Sequence, residues 1–129
     1  MKKEKKYFIR FKKLVSGIIN DKAKIQNLIS ETKGKSSHYR QQLAEVWPGL
    51  QTMFRMVKYW IKGAYTDVST QTIVSILTAF LYFITPLDAL PDFFVGGLID
   101  DITVIGWVLS SLKKEIEKFK TWENNYTNQ

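Results

Sequence analysis

The stretch "VSTQTIVSILTAFLYFITPL", residues 68–87, runs for twenty residues without a charged side chain. That length is sufficient for one membrane-spanning helix. Its first half is polar, however, because serine, threonine and glutamine occupy positions 69–72, 75 and 78, and the strongly apolar part is shorter than a span. We therefore predict a helix over about 70–84, capped by Asp67 or Ser69 and buried in a water-soluble bundle. An integral membrane helical hairpin is the alternative.

A second pattern begins where this helix ends. The segment "YFITPLDALPDFFVGGLIDDITVIGW", residues 82–107, combines apolar side chains with four aspartates, two prolines and a glycine pair. A buried carboxylate needs a partner, a helix end, water or a metal ion. In a membrane hairpin each of these carboxylates would cost about 2.5–3.5 kcal/mol at the bilayer centre. The aspartates therefore favour the soluble bundle.

Apolar residues elsewhere recur at spacings of three and four, which is typical of amphipathic helices. The pattern predicts one helix over about 5–32, ended by the breaker run "KGKSS" at 33–37, and a second helical region from His38 that is disturbed at Pro48. A last helix is predicted over about 101–122. The predicted fold class is all-α: a small helical bundle of four to five helices with an irregular Pro/Asp/Gly corner before the last helix.

The chain length is that of a single globular domain, and the pattern divides it into three parts. Residues 1–37 are predicted as a basic amphipathic N-terminal helix and linker. Residues 38–122 are predicted as the helical domain, and residues 123–129 as a frayed polar tail.

Positive charge is concentrated at the N-terminus. The formal net charge is +7, and the first thirteen residues contain seven basic side chains against one acidic side chain. These basic residues, interleaved with apolar ones, predict a helix that can lie on an anionic membrane surface, where each would contribute about 1 kcal/mol. The alternative is a helix whose apolar side packs on the bundle. The basic residues predicted to contact the membrane are Lys2, Lys3, Lys5, Lys6, Arg10, Lys12 and Lys13.

Composition excludes several classes of protein. The chain has no cysteine and one histidine, so a disulfide scaffold, a thiolate metal site, a cysteine nucleophile and a paired-histidine zinc site are all excluded. Nucleic acid is a disfavoured partner because the chain is nearly neutral beyond its N-terminal arm. Charged residues interrupt the apolar part of that arm, so no secretory signal is predicted and the expected location is cytoplasmic.

Nine positions of the 82–107 segment follow one pattern, an aromatic residue followed by spaced hydroxyl, proline, aspartate and glycine residues. They are Tyr82, Thr85, Pro86, Asp88, Pro91, Asp92, Gly97, Asp100 and Asp101. In these residues the segment closely resembles the signature of the YkvA-like family, known as domain of unknown function 1232. A looser similarity reaches from residues 61–69 to Trp122, so residues 38–122 are predicted as a YkvA-like domain. The resemblance implies frequent membrane association, and it supplies no catalytic residue because the family has no assigned activity.

The residues alone give each aspartate a structural interpretation. Thr85 is predicted to cap a helical turn that has Pro86 at its first position and Asp88 at its third. Asp92 is predicted to cap or open the next turn. Asp100 and Asp101 are predicted to cap the last helix and to interact with its dipole.

The same carboxylates allow a second interpretation, because carboxylate oxygens are the ligands that Mg²⁺, Ca²⁺ and Mn²⁺ prefer. The motif residues Thr85 to Asp101 are thus either a structural corner or a site for a cation or a charged partner. Acid–base catalysis would need a further chemical group. The nearest candidate bases, Arg55, Lys58 and Lys62, can equally pair with the carboxylates.

These observations predict a non-enzymatic helical interaction or accessory protein at the cytoplasmic face of a membrane. Its predicted partners are an anionic membrane surface, an unidentified protein, or both; no catalytic residue, cofactor or small-molecule substrate is inferred. The alternatives are a divalent-metal-binding protein or metal-dependent hydrolase that uses the aspartate cluster, and the integral membrane hairpin.

Overall fold

The structure, a computed structural model, describes the backbone of residues 2–85 and 93–128 and the side chains of residues 8–85 and 102–128. The described ranges contain helices and turns and no strand, so the predicted all-α class is confirmed. They hold six helices, not four or five: α1 (Lys2–Ile18), α2 (Lys22–His38), α3 (Trp47–Ile61), α4 (Thr70–Ile84), α5 (Phe93–Ser111) and α6 (Lys113–Thr127).

The predicted first helix is two helices. The chain leaves helical geometry after Ile18, and the carboxylate of Asp21 accepts a hydrogen bond from the Lys24 amide at 3.1 Å, which starts α2. The apolar spacing continues across this break, so periodicity alone does not show that one helix ends and another begins. The predicted stop at residues 33–37 is also wrong, because α2 continues through Gly34 to His38. Ser36 is buried there, and tertiary packing of this kind overrides the low helix propensity of one glycine.

The predicted second helical region does not begin at His38, because residues 39–46 form turns and α3 begins at Trp47. Pro48 lies in the first turn of α3, where its missing amide hydrogen costs nothing. After α3 the chain turns at Gly63, whose φ of +77° favours glycine. Ser69 then caps α4 by accepting a hydrogen bond from the Thr72 amide at 3.1 Å. The predicted helix over 70–84 is confirmed.

Helix α4 forms the middle of the bundle. It packs against α1, α2 and α5, and it buries ten of its fifteen residues. Even the hydroxyl of Thr78 is satisfied inside the helix, since it donates to the Val74 carbonyl oxygen at 2.6 Å. The apolar part of the uncharged run, residues 72–83, is therefore largely covered by the protein's own helices. Within the described ranges, no helix has the length and apolarity needed to cross a membrane.

The predicted last helix is also two helices, because α5 ends before Leu112 and α6 follows it. Asp100 and Asp101 lie inside α5, so the prediction that they cap the last helix is wrong. Helix α6 continues to Thr127, where a frayed tail was predicted. Its Glu123 accepts a hydrogen bond from Arg55 of α3 at 2.8 Å, which ties this end of the chain to the bundle. The three-part domain division stays a prediction.

Candidate functional site

The inner side of α1 is apolar and packs against the other helices of the bundle. Phe8, Phe11 and Val15 are buried. The ring of Phe11 meets Tyr82 of α4 edge-on, with 5.9 Å between the centroids, and the ring of Phe8 meets Trp107 of α5 at 5.1 Å. Of the two predicted roles for this apolar side, packing on the bundle is therefore the one that the structure confirms for residues 8–15.

The opposite side of α1, here called the outer face, consists of Ile9, Arg10, Lys13 and Leu14. At 100° per residue these positions fall on the arc away from Phe8. Ile9 is 53% exposed and Leu14 is 59% exposed, and both basic side chains are exposed beside them. Neither basic residue forms an ion pair in the described part of the chain. The outer face thus exposes apolar and unneutralised cationic groups together.

Half of the large exposed apolar side chains lie on this face. Four occur among the described residues: Ile9, Leu14, Trp107 and Tyr126. Trp107 lies against Phe8 on the inner side of α1, and Tyr126 stacks on Trp122 of α6. The outer face therefore holds two of the four, and exposed apolar groups among basic ones are the chemistry of interfacial membrane helices.

The predicted basic contacts divide into two groups. Arg10 and Lys13 are exposed on the outer face, and Lys12 is half-buried. For Lys2, Lys3, Lys5 and Lys6 the structure describes only the backbone, which belongs to α1. Membrane contact by these residues stays a prediction.

The proline and aspartate motif falls mostly beyond what the structure describes. Pro86, Asp88, Pro91 and Asp92 lie outside the described residues, as do the side chains of Asp100 and Asp101; Gly97 contributes only its backbone, inside α5. Thr85 ends α4, and its hydroxyl donates to the Leu81 carbonyl oxygen at 2.6 Å. Its predicted role as an N-cap concerns residues after it and stays a prediction.

A metal site at the four aspartates is likewise untested. In the parts of the chain with described side chains, no group of three acidic or histidine residues could hold an ion. The aspartates themselves are not among those side chains. Of the bases predicted to face them, Arg55 pairs with Glu123 instead.

Lys35, which the sequence pattern did not indicate, reaches the beginning of the motif. It lies in the last turn of α2, and its ammonium group donates to the Phe83 carbonyl oxygen and lies 4.7 Å from the centroid of that ring. A cation is favourable there, because the C-terminal end of α4 carries partial negative charge. The sequence predicted a loop at 33–37, so Lys35 was not placed on a helix. Extending the predicted helix by one turn would have placed it there.

Comparison with known proteins relates this chain to a family. Residues 72–107, from the first turn of α4 into α5, match the family model described as "Protein of unknown function (DUF1232)". A protein of Bacillus subtilis (strain 168), named "Uncharacterized membrane protein YkvA", is 30% identical over 96 residues, which cover 74% of this chain and 91% of that protein. No solved structure matches significantly. The family model and this relative together show that the chain belongs to the YkvA-like DUF1232 family.

Proposed function

We propose that this protein is a non-enzymatic helical accessory protein that attaches reversibly to the anionic cytoplasmic face of a membrane through the outer face of α1. The observation that carries the proposal is the exposure of Ile9 and Leu14 beside Arg10 and Lys13, on the side of α1 that faces away from the bundle. The name of the Bacillus subtilis relative, which calls that protein a membrane protein, supports it.

The expected strength of attachment follows from these few groups. Full burial of an isoleucine or leucine side chain contributes about 1.5–3 kcal/mol, and the outer face offers two such side chains that are a little over half exposed. Each basic residue near anionic headgroups adds about 1 kcal/mol, and salt weakens that contribution. Together these contributions are enough for reversible, salt-sensitive binding. They are far below the binding free energy of a helix inserted into the bilayer. The remaining helices would stay in water, where they could meet a protein partner.

Co-sedimentation with lipid vesicles tests this proposal. We expect recovery with vesicles that contain phosphatidylglycerol, reduced recovery at high salt, and little recovery with phosphatidylcholine alone. The double variant Ile9→Gln/Leu14→Gln should lose most of the binding, because it removes the apolar contact and keeps the charge. Both positions are exposed, so the variant should keep the fold.

A matched pair of charge variants separates the outer face from general basicity. Arg10→Gln/Lys13→Gln and Lys114→Gln/Lys120→Gln remove the same charge, the first from the outer face and the second from exposed positions of α6. Only the first should weaken binding. Equal weakening by both, or no recovery of the unmodified protein, would contradict the proposal, and salt-independent recovery would indicate insertion instead.

A further inference from the structure

An open cleft of about 280 Å³ lies between α2 and α3 and has no residue in common with the outer face of α1. Its walls carry three lysines, Lys33 from α2, Lys58 from α3 and Lys62 at the end of α3, and no acidic residue. None of the three forms an ion pair within the ranges where side chains are described. The cleft is therefore a concave surface with uncompensated positive charge.

Lysines from both helices line the same cleft. Lys62 caps the end of α3, one turn after Lys58, so the two lie on the same side of the helix. Lys33 reaches across from α2, with its Nζ 5.5 Å from the ring centroid of Phe54 of α3. Ammonium groups that line one cleft repel one another, and a bound anion would offset that repulsion.

We propose that this cleft binds a phosphate monoester group. Such a group carries a charge between about −1.5 and −2 near neutral pH and presents three acceptor oxygens, which matches three ammonium donors. Gln26 and Ser30 line the same cleft and add polar groups, and Ile29 and Ile61 form an apolar part that suits the carbon chain attached to the phosphate. Two sources share this chemistry: a soluble phosphomonoester and the headgroup of a membrane lipid such as phosphatidic acid.

The test is a titration of the full chain, labelled with ¹⁵N, with glycerol 3-phosphate as the probe and sodium chloride at equal ionic strength as the reference. We expect saturable shifts of the amide resonances of the cleft residues with the phosphate ester only. In Lys58→Gln/Lys62→Gln the dissociation constant should rise by about tenfold or more, because charge-assisted hydrogen bonds are lost. The control Lys114→Gln/Lys120→Gln removes the same charge from α6 and should change it by less than about twofold.

Vesicles of phosphatidic acid distinguish the two sources. They are added to protein that carries Ile9→Gln and Leu14→Gln, so that the outer face of α1 does not contribute. Binding that depends on Lys58 and Lys62 with vesicles but not with the soluble ester identifies a lipid headgroup, and the reverse identifies a soluble ligand. Shifts that chloride reproduces, equal weakening by both double variants, or no response to either probe would overturn the proposal. Its failure leaves the proposed membrane attachment through α1 untouched, because the two surfaces share no residue.

Discussion

The hydroxyl group of Tyr65 lies in the protein interior without a hydrogen-bond partner among the residues that the structure describes. Its ring packs on Phe119, with 5.1 Å between the centroids, and on Trp122, with 4.8 Å. Burial raises the pKa of Tyr65 above its ordinary value of 10.0, although the charge of Lys118 opposes the shift. The residue thus gains stability from its ring, while its hydroxyl is unsatisfied within the described part of the chain.

Tyr65→Phe should therefore be neutral or stabilising. At pH 7 we expect the free energy of unfolding to stay the same or to rise by up to about 1 kcal/mol, because an unsatisfied buried hydroxyl is removed. The raised pKa means that the folded state holds the phenolic proton more tightly than the unfolded chain does. Stability linked to this group is therefore fully present below pH 10 and is lost as pH rises above it.

Urea unfolding between pH 7 and 11 measures both effects. The stability of the unmodified protein should fall more steeply above pH 10 than that of Tyr65→Phe. Tyr126→Phe, which removes a tyrosine hydroxyl from an exposed position, is the control. A loss of more than about 1 kcal/mol at pH 7 in Tyr65→Phe would show that the hydroxyl has a partner after all.

At the scale of elements, the start of α3 lies close to α5. A Cβ atom added to Gly49 would stand 2.6 Å from Cδ1 and 3.2 Å from Cγ of Leu109. The glycine therefore allows a close approach of the two helices, and any larger residue would force the leucine side chain to move.

The effect of Gly49→Ala on the free energy of unfolding should change sign with the size of the side chain at position 109. In the unmodified protein we expect a loss of about 1 kcal/mol or more in the free energy of unfolding, because the added methyl group overpacks the contact. In a Leu109→Ala background the same substitution should gain about 0.5–1 kcal/mol, because alanine is the better helix former. A double-mutant cycle by urea unfolding measures this coupling. Equal effects in both backgrounds would show that Leu109 yields without cost.

The helices differ in how far the sequence predicts them, and the reason is where each boundary signal lies. For α4, a capping serine, an uncharged apolar run and a following proline all agree, and the predicted helix is confirmed. Between α1 and α2 the apolar spacing continues across the break, and Asp21 is the only local signal of a new helix. At Gly34 the sequence predicted a helix end that the structure does not have, because packing against α4 holds α2 together through this glycine.

The candidate site was predictable only in part. The basic composition of the N-terminal arm pointed to α1, but periodicity alone did not decide which of its sides meets the bundle. Ile9 and Leu14 lie off the three-and-four spacing of the apolar stripe, and only the folded chain shows that both are exposed. The lysines of the α2–α3 cleft come from two distant segments, so only the fold brings them together.

At the scale of the whole molecule, α1 is part of the core and not a detachable arm. Phe11→Ala should lower the free energy of unfolding by about 3–5 kcal/mol, because it leaves a cavity against Tyr82 of α4. Leu14→Ala, on the outer face of the same helix, should cost less than about 0.5 kcal/mol. Urea unfolding of the two variants compares them directly, and equal costs would contradict the packing of α1 described above.

Because the inner side of α1 packs on α4, the outer face of α1 cannot turn independently of the other helices. A protein held by a flexible tail rotates freely above a bilayer, whereas attachment through α1 would give every bound molecule the same inclination to the surface. The same helices would then always point toward the water. Polarised spectroscopy of the tryptophans on supported bilayers would show this as a single, narrow distribution of angles.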